Sequence, residues 1–253
     1  MKVEPDSWLT QVFGYAVFKV SFTTENTEWS ADSPASQWFG GKAPEESAFL
    51  YAKIPTHRVD QLRILARAGF AVVDVNVTLG RRPSPQPSGK AENRIALRES
   101  TASDRETLLK IASSCFKYSR FHLDPEIPGD LANAVKRAWV ESYCHKTRGE
   151  KLVVAEWDGQ LAGFVALLNH DSDSGRERVI DLVGVEEAYQ RKGVGSRLID
   201  YVVNDSAGRA VWVKVGTQVA NTPSVRLYEK AGFCLTASAY VLHAHIRGGQ
   251  LRR

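Results

Sequence analysis

Val179–Val203 reads VIDLVGVEEAYQRKGVGSRLIDYVV, and the fold hangs on how this stretch is parsed. Val179–Val185 is an apolar, valine-bearing run of strand length. A polar turn follows, then the loop Gln190–Gly195, then a helix marked by Val194, Leu198 and Val202 at a period near 3.6. Gly193 and Gly195 stand where the strand-to-helix turn needs permissive backbone and where a ligand must come close. The first amides of a helix lack internal partners and carry the positive end of its dipole. Arg191 and Lys192 add two cations to the same loop. The segment therefore predicts a site for a phosphate-bearing cofactor.

The 253 residues supply ample material for a core, as one large domain or two small ones. Hydrophobic residues make up 43% and charged residues 25%, ordinary values for a globular protein. The net charge of +4 is dispersed, apart from Arg81–Arg82 and the tail Arg247–Arg253, so a nucleic-acid partner is not expected. No apolar run has the length of a membrane span and the start has no signal-peptide character, so the expected setting is the cytoplasm, without a membrane partner. Cys115, Cys144 and Cys234 lack metal-ligand spacing and read as buried thiols; no metal is expected.

Along the chain, Val12–Phe22 has strand composition, and Glu25–Glu46 reads as a loop anchored by Trp29, Trp38 and Phe39. A strand at Phe49–Ile54, a helix at Arg58–Arg67 stopped by Gly69, and a strand at Ala71–Leu79 follow. Residues 81–93, RRPSPQPSGKAEN, form a Pro/Ser-rich linker between an α/β unit at 1–80 and a second unit at 94–253. That second unit reads strand, two helices, an Asp158-Gly159 hairpin, the opening stretch, a strand at Ala210–Val215, a helix at Pro223–Lys230 and closing strands. The class is α/β with a mixed sheet. RILARAGFAVVDVNVTL (Arg63–Leu79) aligns without gaps on RLYEKAGFCLTASAYVL (Arg226–Leu242), with Leu65 at the position of Tyr228; the echo reads either as a common helix-to-strand junction or as a degenerate second copy of one fold.

The hairpin, the strand, Gln190-Arg-Lys-Gly-Val-Gly195, and then Asn221, Tyr228 and Ala231-Gly-Phe233 occur in an order that resembles the GNAT superfamily of N-acetyltransferases. The loop lacks the Lys-Ser/Thr ending of a P-loop and the third glycine of a dinucleotide fingerprint. A narrower resemblance rests on Tyr118-Ser-Arg-Phe-His-Leu-Asp-Pro125, Trp139, and Val215–Thr222 through Ser238-Ala-Tyr240. These look like bacterial TDP-fucosamine N-acetyltransferases, which act on dTDP-linked amino-deoxysugars for surface polysaccharide. The resemblance implies a GNAT fold preceded by a smaller, degenerate GNAT-like half, and a homodimer in which the closing strand Thr236–His245 offers an edge. It implies acetyl-CoA or another short-chain acyl-CoA as co-substrate and a nucleotide-linked amino sugar as acceptor.

Carried over by position, the resemblance gives Gln190, Arg191, Lys192, Gly193, Val194, Gly195 and Ser196 the pyrophosphate. Leu182, Val183 and Val185 lie on the strand that splays from Trp212–Val215 and pairs with pantetheine; an amide of Leu182 or Val183 polarises the thioester carbonyl. Asn221 hydrogen-bonds the pantetheine arm, and Tyr228 serves as general acid beside the sulfur. The reaction is direct attack of a neutral amine on a thioester, so no enzyme nucleophile is required. The base has two candidates, His122 and Asp181, and loss of the proton through water is a third route. Arg120, Phe121 and His122 are candidates for the acceptor side, Arg120 because guanidinium matches diphosphate geometry. His170, Asp171, His243 and His245 read as structural. Two other readings stay open: transfer to a protein N-terminus, polyamine or antibiotic, and a non-catalytic CoA-binding sensor or scaffold.

Overall fold

The computed structural model describes residues 1–22, 47–84 and 94–251. The expected loop Glu25–Glu46 with its aromatic anchors, and most of the 81–93 linker, lie outside the described residues. The first part of the chain runs β1 (Lys2–Pro5), α1 (Ser7–Phe13), β2 (Ala16–Ser21), β3 (Ala48–Pro55), α2 (Val59–Arg67) and β4 (Ala71–Arg81). Then come β5 (Ile95–Glu99), α3 (Arg105–Ala112), α4 (Gly129–Cys144), β6 (Lys151–Trp157), β7 (Gln160–Ser172), β8 (Gly175–Val185), α5 (Val194–Ser206), β9 (Trp212–Gln218), α6 (Thr222–Lys230), β10 (Cys234–Arg247) and β11 (Gln250–Leu251).

Local chemistry explains most boundaries. Asp6 accepts from the Leu9 amide at the start of α1, and Gly14 closes the helix at φ 74°. The helix therefore takes Val12 and Phe13 from the expected strand Val12–Phe22, which starts only at Ala16. Thr101 and Asp104 form a reciprocal capping box before α3. Asp158 and Gly159 both have positive φ, 49° and 80°, so the β6–β7 hairpin turns with a hand that suits twisted strands.

The strands join one mixed sheet in the order β1-β2-β3-β10-β4-β9-β8-β7-β6-β5, with β11 on β10. It crosses the linker position without a break, since β4 pairs with both β9 and β10 and β10 also pairs with β3. The closing strand expected at an edge is therefore interior. Its second half, Val241–Ile246, is buried without alternation, as suits a strand covered on both faces. Cys234, expected to be buried, opens that strand exposed.

The internal echo appears here as a local two-fold. Asn76 lies opposite Ala239, and these are equivalent positions of the two copies. Pro55 pairs with Ala239 just as Gln218 pairs with Asn76. β2 and β3 are parallel, as are β8 and β9. The run β2-β3-β10-β4-β9-β8 is thus palindromic, each half lending one strand to the other.

Side chains from both faces fill the core. α5 lays Val194, Leu198, Ile199 and Val202 on β6–β9, while α3 and α4 cover the other face around Val154, Phe164 and Leu182. α2 packs Leu65 against β3 and β10. α4 reaches α1 as well, its Val135 in one cluster with Leu9, Phe13, Phe49 and Phe121. Each of these fully buried large side chains contributes about 2–3 kcal/mol by leaving water, and together they hold α4 fixed between the two halves. No helix among the described residues is long and apolar enough to cross a membrane.

Candidate active site

A cleft of about 1220 Å³ opens where β8 and β9 part. Their parallel pairing runs from Glu177 with Trp212 to Ile180 with Val215 and stops. Trp212–Val215 therefore belong to the paired stem, and the opening starts one step later than expected. Beyond it, Asn76–Thr78 of β4 take up Gly216–Gln218, leaving the inner edge of Asp181–Val185 facing the gap. A free strand edge offers unpaired amides and carbonyls to an extended, amide-bearing ligand.

At the far end of β8, Gln190 donates its side-chain amide to the Val185 carbonyl at 3.1 Å and ties the loop to the strand. Arg191 sits at φ 61° and Gly193 at φ 85°, so the chain turns sharply into α5. No side chain caps that helix, and its first amides are open. Gly195 cannot be enlarged without cost, because a Cβ there would meet Leu227 Cδ2 at 3.3 Å. Gln190, Arg191, Gly193, Gly195 and Ser196 line the cleft, whereas two neighbours expected beside them do not. Lys192 lies over the Trp157 and Tyr189 rings at 5.6 and 5.5 Å, and Val194 is a core anchor 1% exposed. Arg191 carries the cationic part and Val194 offers only its backbone.

Asn221 lines the cleft and also caps α6, its Oδ1 accepting from the Ser224 amide at 3.3 Å. Tyr228 reaches the cleft from the same helix and is 2% exposed, with its ring 5.8 Å from Phe233. Burial pushes its phenol above the ordinary range, so the hydroxyl stays protonated at neutral pH. Its proton is suited to hydrogen bonding and not to full transfer, since a phenol is already the weaker acid beside a thiol.

The two expected bases fare otherwise. His122 does not line the cleft; Ser119 Oγ meets its Nδ1 at 2.6 Å and Asn133 Oδ1 its Nε2 at 2.9 Å. Burial lowers its pKa, and both ring nitrogens are engaged. Asp181 does line the cleft, at a bulge where Ala166 pairs with Leu182 and Leu167 with Ile180. Its carboxylate accepts from Trp139 Nε1 (2.8 Å), the Tyr143 hydroxyl (2.8 Å) and Arg148 Nε (2.7 Å). With those acceptor sites taken, Asp181 reads as an anchor for α4 on β8.

The wall of the cleft beside α4 is cationic. Arg120 lies over the Tyr51 and Phe121 rings at 4.0 and 4.4 Å, with its Nη1 buried and unpartnered among the described residues. Burial lowers its pKa to about 10, which leaves it charged at pH 7. Phe121, 2% exposed, serves mainly as packing beneath it. Lys53 of β3 and Lys136 of α4 line the same wall, and both are depressed by burial and by the Arg120 charge. Neither was picked out from the sequence. Lys136 had a readable signal, as the cation inside the apolar stripe Ala132, Val140 and Tyr143 of α4.

A separate cluster lies in the core. Asp124 Oδ2 accepts from His243 Nδ1 at 2.6 Å and His245 Nε2 at 2.8 Å, and Oδ1 from the Glu126 amide at 2.9 Å. The ligand-type atoms lie within 4.8 Å of one another, close enough for a metal ion. As hydrogen-bonded here, the three residues fasten the Tyr118–Pro125 segment to β10. The alternation His243-Ala244-His245, which puts both rings on one strand face, is its trace in the sequence.

The profile of the Acetyltransferase (GNAT) family matches residues 106–233. Spore coat polysaccharide biosynthesis protein SpsD of Bacillus subtilis is 22% identical over 95% of this chain and 81% of its own. The dTDP-fucosamine acetyltransferase of Escherichia coli O6:H1 is 24% identical over 95% of this chain and 97% of its own. A GCN5-related N-acetyltransferase from Sphaerobacter thermophilus superposes with a TM-score of 0.59 at 16% identity, over 84% of this chain and 65% of that one. The parted strands, the open helix start and these matches agree: the chain belongs to the GNAT acetyltransferase family and is an acyl-CoA-dependent N-acyltransferase.

Proposed function

We propose that this enzyme transfers an acetyl group from acetyl-CoA to the amine of a dTDP-linked amino-deoxysugar, in polysaccharide biosynthesis. The observation that carries the reading is the cationic wall opposite the donor loop, where Lys53 and Arg120 stand and, among the described residues, the already engaged Asp181 is the one carboxylate that lines the cleft. Cations gathered on one wall, Arg120 half-buried and Lys53 exposed, favour an anionic ligand. A nucleotide diphosphate fits that need, and Arg120 has the geometry to grip it bidentately. A polyamine or antibiotic acceptor would bring more positive charge into the same space. The relatives named for dTDP-fucosamine and for coat polysaccharide support the same class of acceptor.

In this reading the amides at Val194–Ser196, with Gln190, Arg191 and Gly193, hold the CoA pyrophosphate. The free edge at Leu182, Val183 and Val185 pairs with pantetheine, near Asn221. The amine attacks the thioester carbonyl, polarised by a β8 amide, and Tyr228 donates a hydrogen bond to the sulfur as charge collects there. Such help is worth about 10²–10⁴-fold. Residues 94–253 form the acyltransferase unit, and residues 1–80, a degenerate half, contribute Lys53 to the acceptor side.

The test is thiol release from acetyl-CoA with dTDP-sugars bearing an amine at C3 or C4, with spermidine and an N-terminal peptide as competitors. Turnover on a dTDP-aminosugar alone is the expected result. Turnover on spermidine or the peptide in its place would refute the acceptor assignment.

A further inference from the structure

We propose that Lys136 is the proton acceptor for the incoming amine, standing across the cleft from Tyr228. The proposal rests on the N-acyltransferase activity, and only its kinetic test depends on the dTDP-sugar reading. Lys136 is 8% exposed and lines the cleft, although a buried lysine is ordinarily paired. Among the described residues its ammonium has no hydrogen bond and no ion pair. Its Nζ lies over the Phe116 and Trp139 rings at 4.9 and 4.7 Å.

The position is the one the reaction needs. Trp139, one turn along α4, bonds Asp181 on β8 at 2.8 Å. Phe116 adjoins Cys115, whose Sγ packs so close to Gly184 of β8 that a Cβ there would meet it at 2.8 Å. Lys136 is thus bracketed by two contacts to Asp181 and Gly184, on the strand whose free edge takes the thioester arm. Tyr228 enters from the opposite side on α6. With His122 outside the cleft and Asp181 engaged, Lys136 is, among the described residues, the titratable group that α4 itself turns to the cleft.

The charged and titratable groups facing Lys136 set its state. Arg120, on the segment before α4, and Lys53 on β3 repel its proton, while Asp181 on β8 attracts it. Burial is the largest influence, and the balance brings Lys136 down to about 8. Cys115 itself is pushed up to about 12 by burial and stays a neutral thiol. A base near 8 is well placed to take a proton from an amine at physiological pH, and falls in the range to which buried catalytic lysines are tuned.

The step balances as follows. The acceptor nitrogen forms the C–N bond, the C–S bond breaks, and the electron pair leaves with sulfur. Neutral Lys136 takes the proton shed by nitrogen, and the thiolate is protonated from solvent after Tyr228 has stabilised it. Lys136 then returns its proton to water through the open cleft.

Two measurements test this. Trace labelling with acetic anhydride across pH 6–11, read by peptide mass spectrometry, reports the fraction of neutral amine at each lysine without any substrate. A midpoint near 8 for Lys136, against about 10.4 for surface lysines, is expected; a midpoint of 10 or above overturns the proposal. In the kinetic arm, acetyl-CoA and dTDP-4-amino-4,6-dideoxygalactose are assayed with wild type, Lys136→Met and Lys136→Arg. Both variants are expected to lose about 10²-fold or more in kcat, with KM for acetyl-CoA within twofold and the kcat limb near pH 8 gone. Arginine keeps the charge and cannot act as base, so wild-type kcat in Lys136→Arg, or an effect on acceptor KM alone that arginine rescues, overturns the proposal. Absence of turnover by the wild type counts against the chosen sugar, and the labelling midpoint then decides on Lys136.

Discussion

At the scale of single residues, the site is a contrast between polar groups already satisfied and polar groups left open. Asp181 has its carboxylate filled by Trp139, Tyr143 and Arg148, so Asp181→Asn should act through the placement of α4. A fall in melting temperature, seen by differential scanning fluorimetry, is expected to accompany its loss of activity. Tyr228 is the opposite case, a hydroxyl without a protein partner among the described residues, facing the cleft. Tyr228→Phe should lower kcat by about 10²-fold or more while KM for acetyl-CoA stays within a factor of two. Steady-state thiol release measures both, and an unchanged kcat would remove Tyr228 from the chemistry. Arg120→Ala should raise acceptor KM with little change in acetyl-CoA KM, since it stands on the acceptor wall away from the loop.

At the scale of elements, the loop between β8 and α5 works because two glycines let the backbone approach a ligand closely. Gly195→Val should raise KM for acetyl-CoA about tenfold or more, because a branched side chain would crowd Leu227 and the pyrophosphate space together. Isothermal titration with CoA checks it directly. This loop was legible in the sequence because its demands are local: a strand, a turn at positive φ, then a helix period. The hairpin at Asp158-Gly159 and the helices α2, α4 and α6 were legible for the same reason. The short helix α1 was not read from the sequence, where Asp6 and Gly14 are its only marks. The cationic wall was out of reach, because Lys53, Arg120 and Lys136 come from three elements far apart in the chain. The interior place of β10 was hidden likewise, since alternation along a strand does not say how many neighbours it has.

At the scale of the whole molecule, the Asp124–His243–His245 cluster links the acceptor-side segment to the strand shared by both halves. Burial would raise the Asp124 carboxyl, but the bonds from His243, His245 and the Glu126 amide outweigh it and hold the group below its usual range. Burial takes His243 down to about 4, against the pull of Asp124. A histidine depressed on folding contributes stability that is complete above its unfolded value near 6.5 and is lost as pH falls toward the folded value. The melting temperature should therefore decline between pH 6.5 and 4, and more shallowly in His243→Gln; equal slopes would show that the decline arises elsewhere. The reciprocal strands have a further outcome during synthesis. β10 pairs with β3 and β4, which leave the ribosome far earlier. Until it arrives, the sheet has an open slot bordered by two unpaired strand edges, and such edges invite pairing with other chains. A nascent chain stalled before residue 234 should bind a chaperone or aggregate, while one extended past residue 251 should not: β10 is the keystone that closes the slot between β3 and β4 into one continuous sheet.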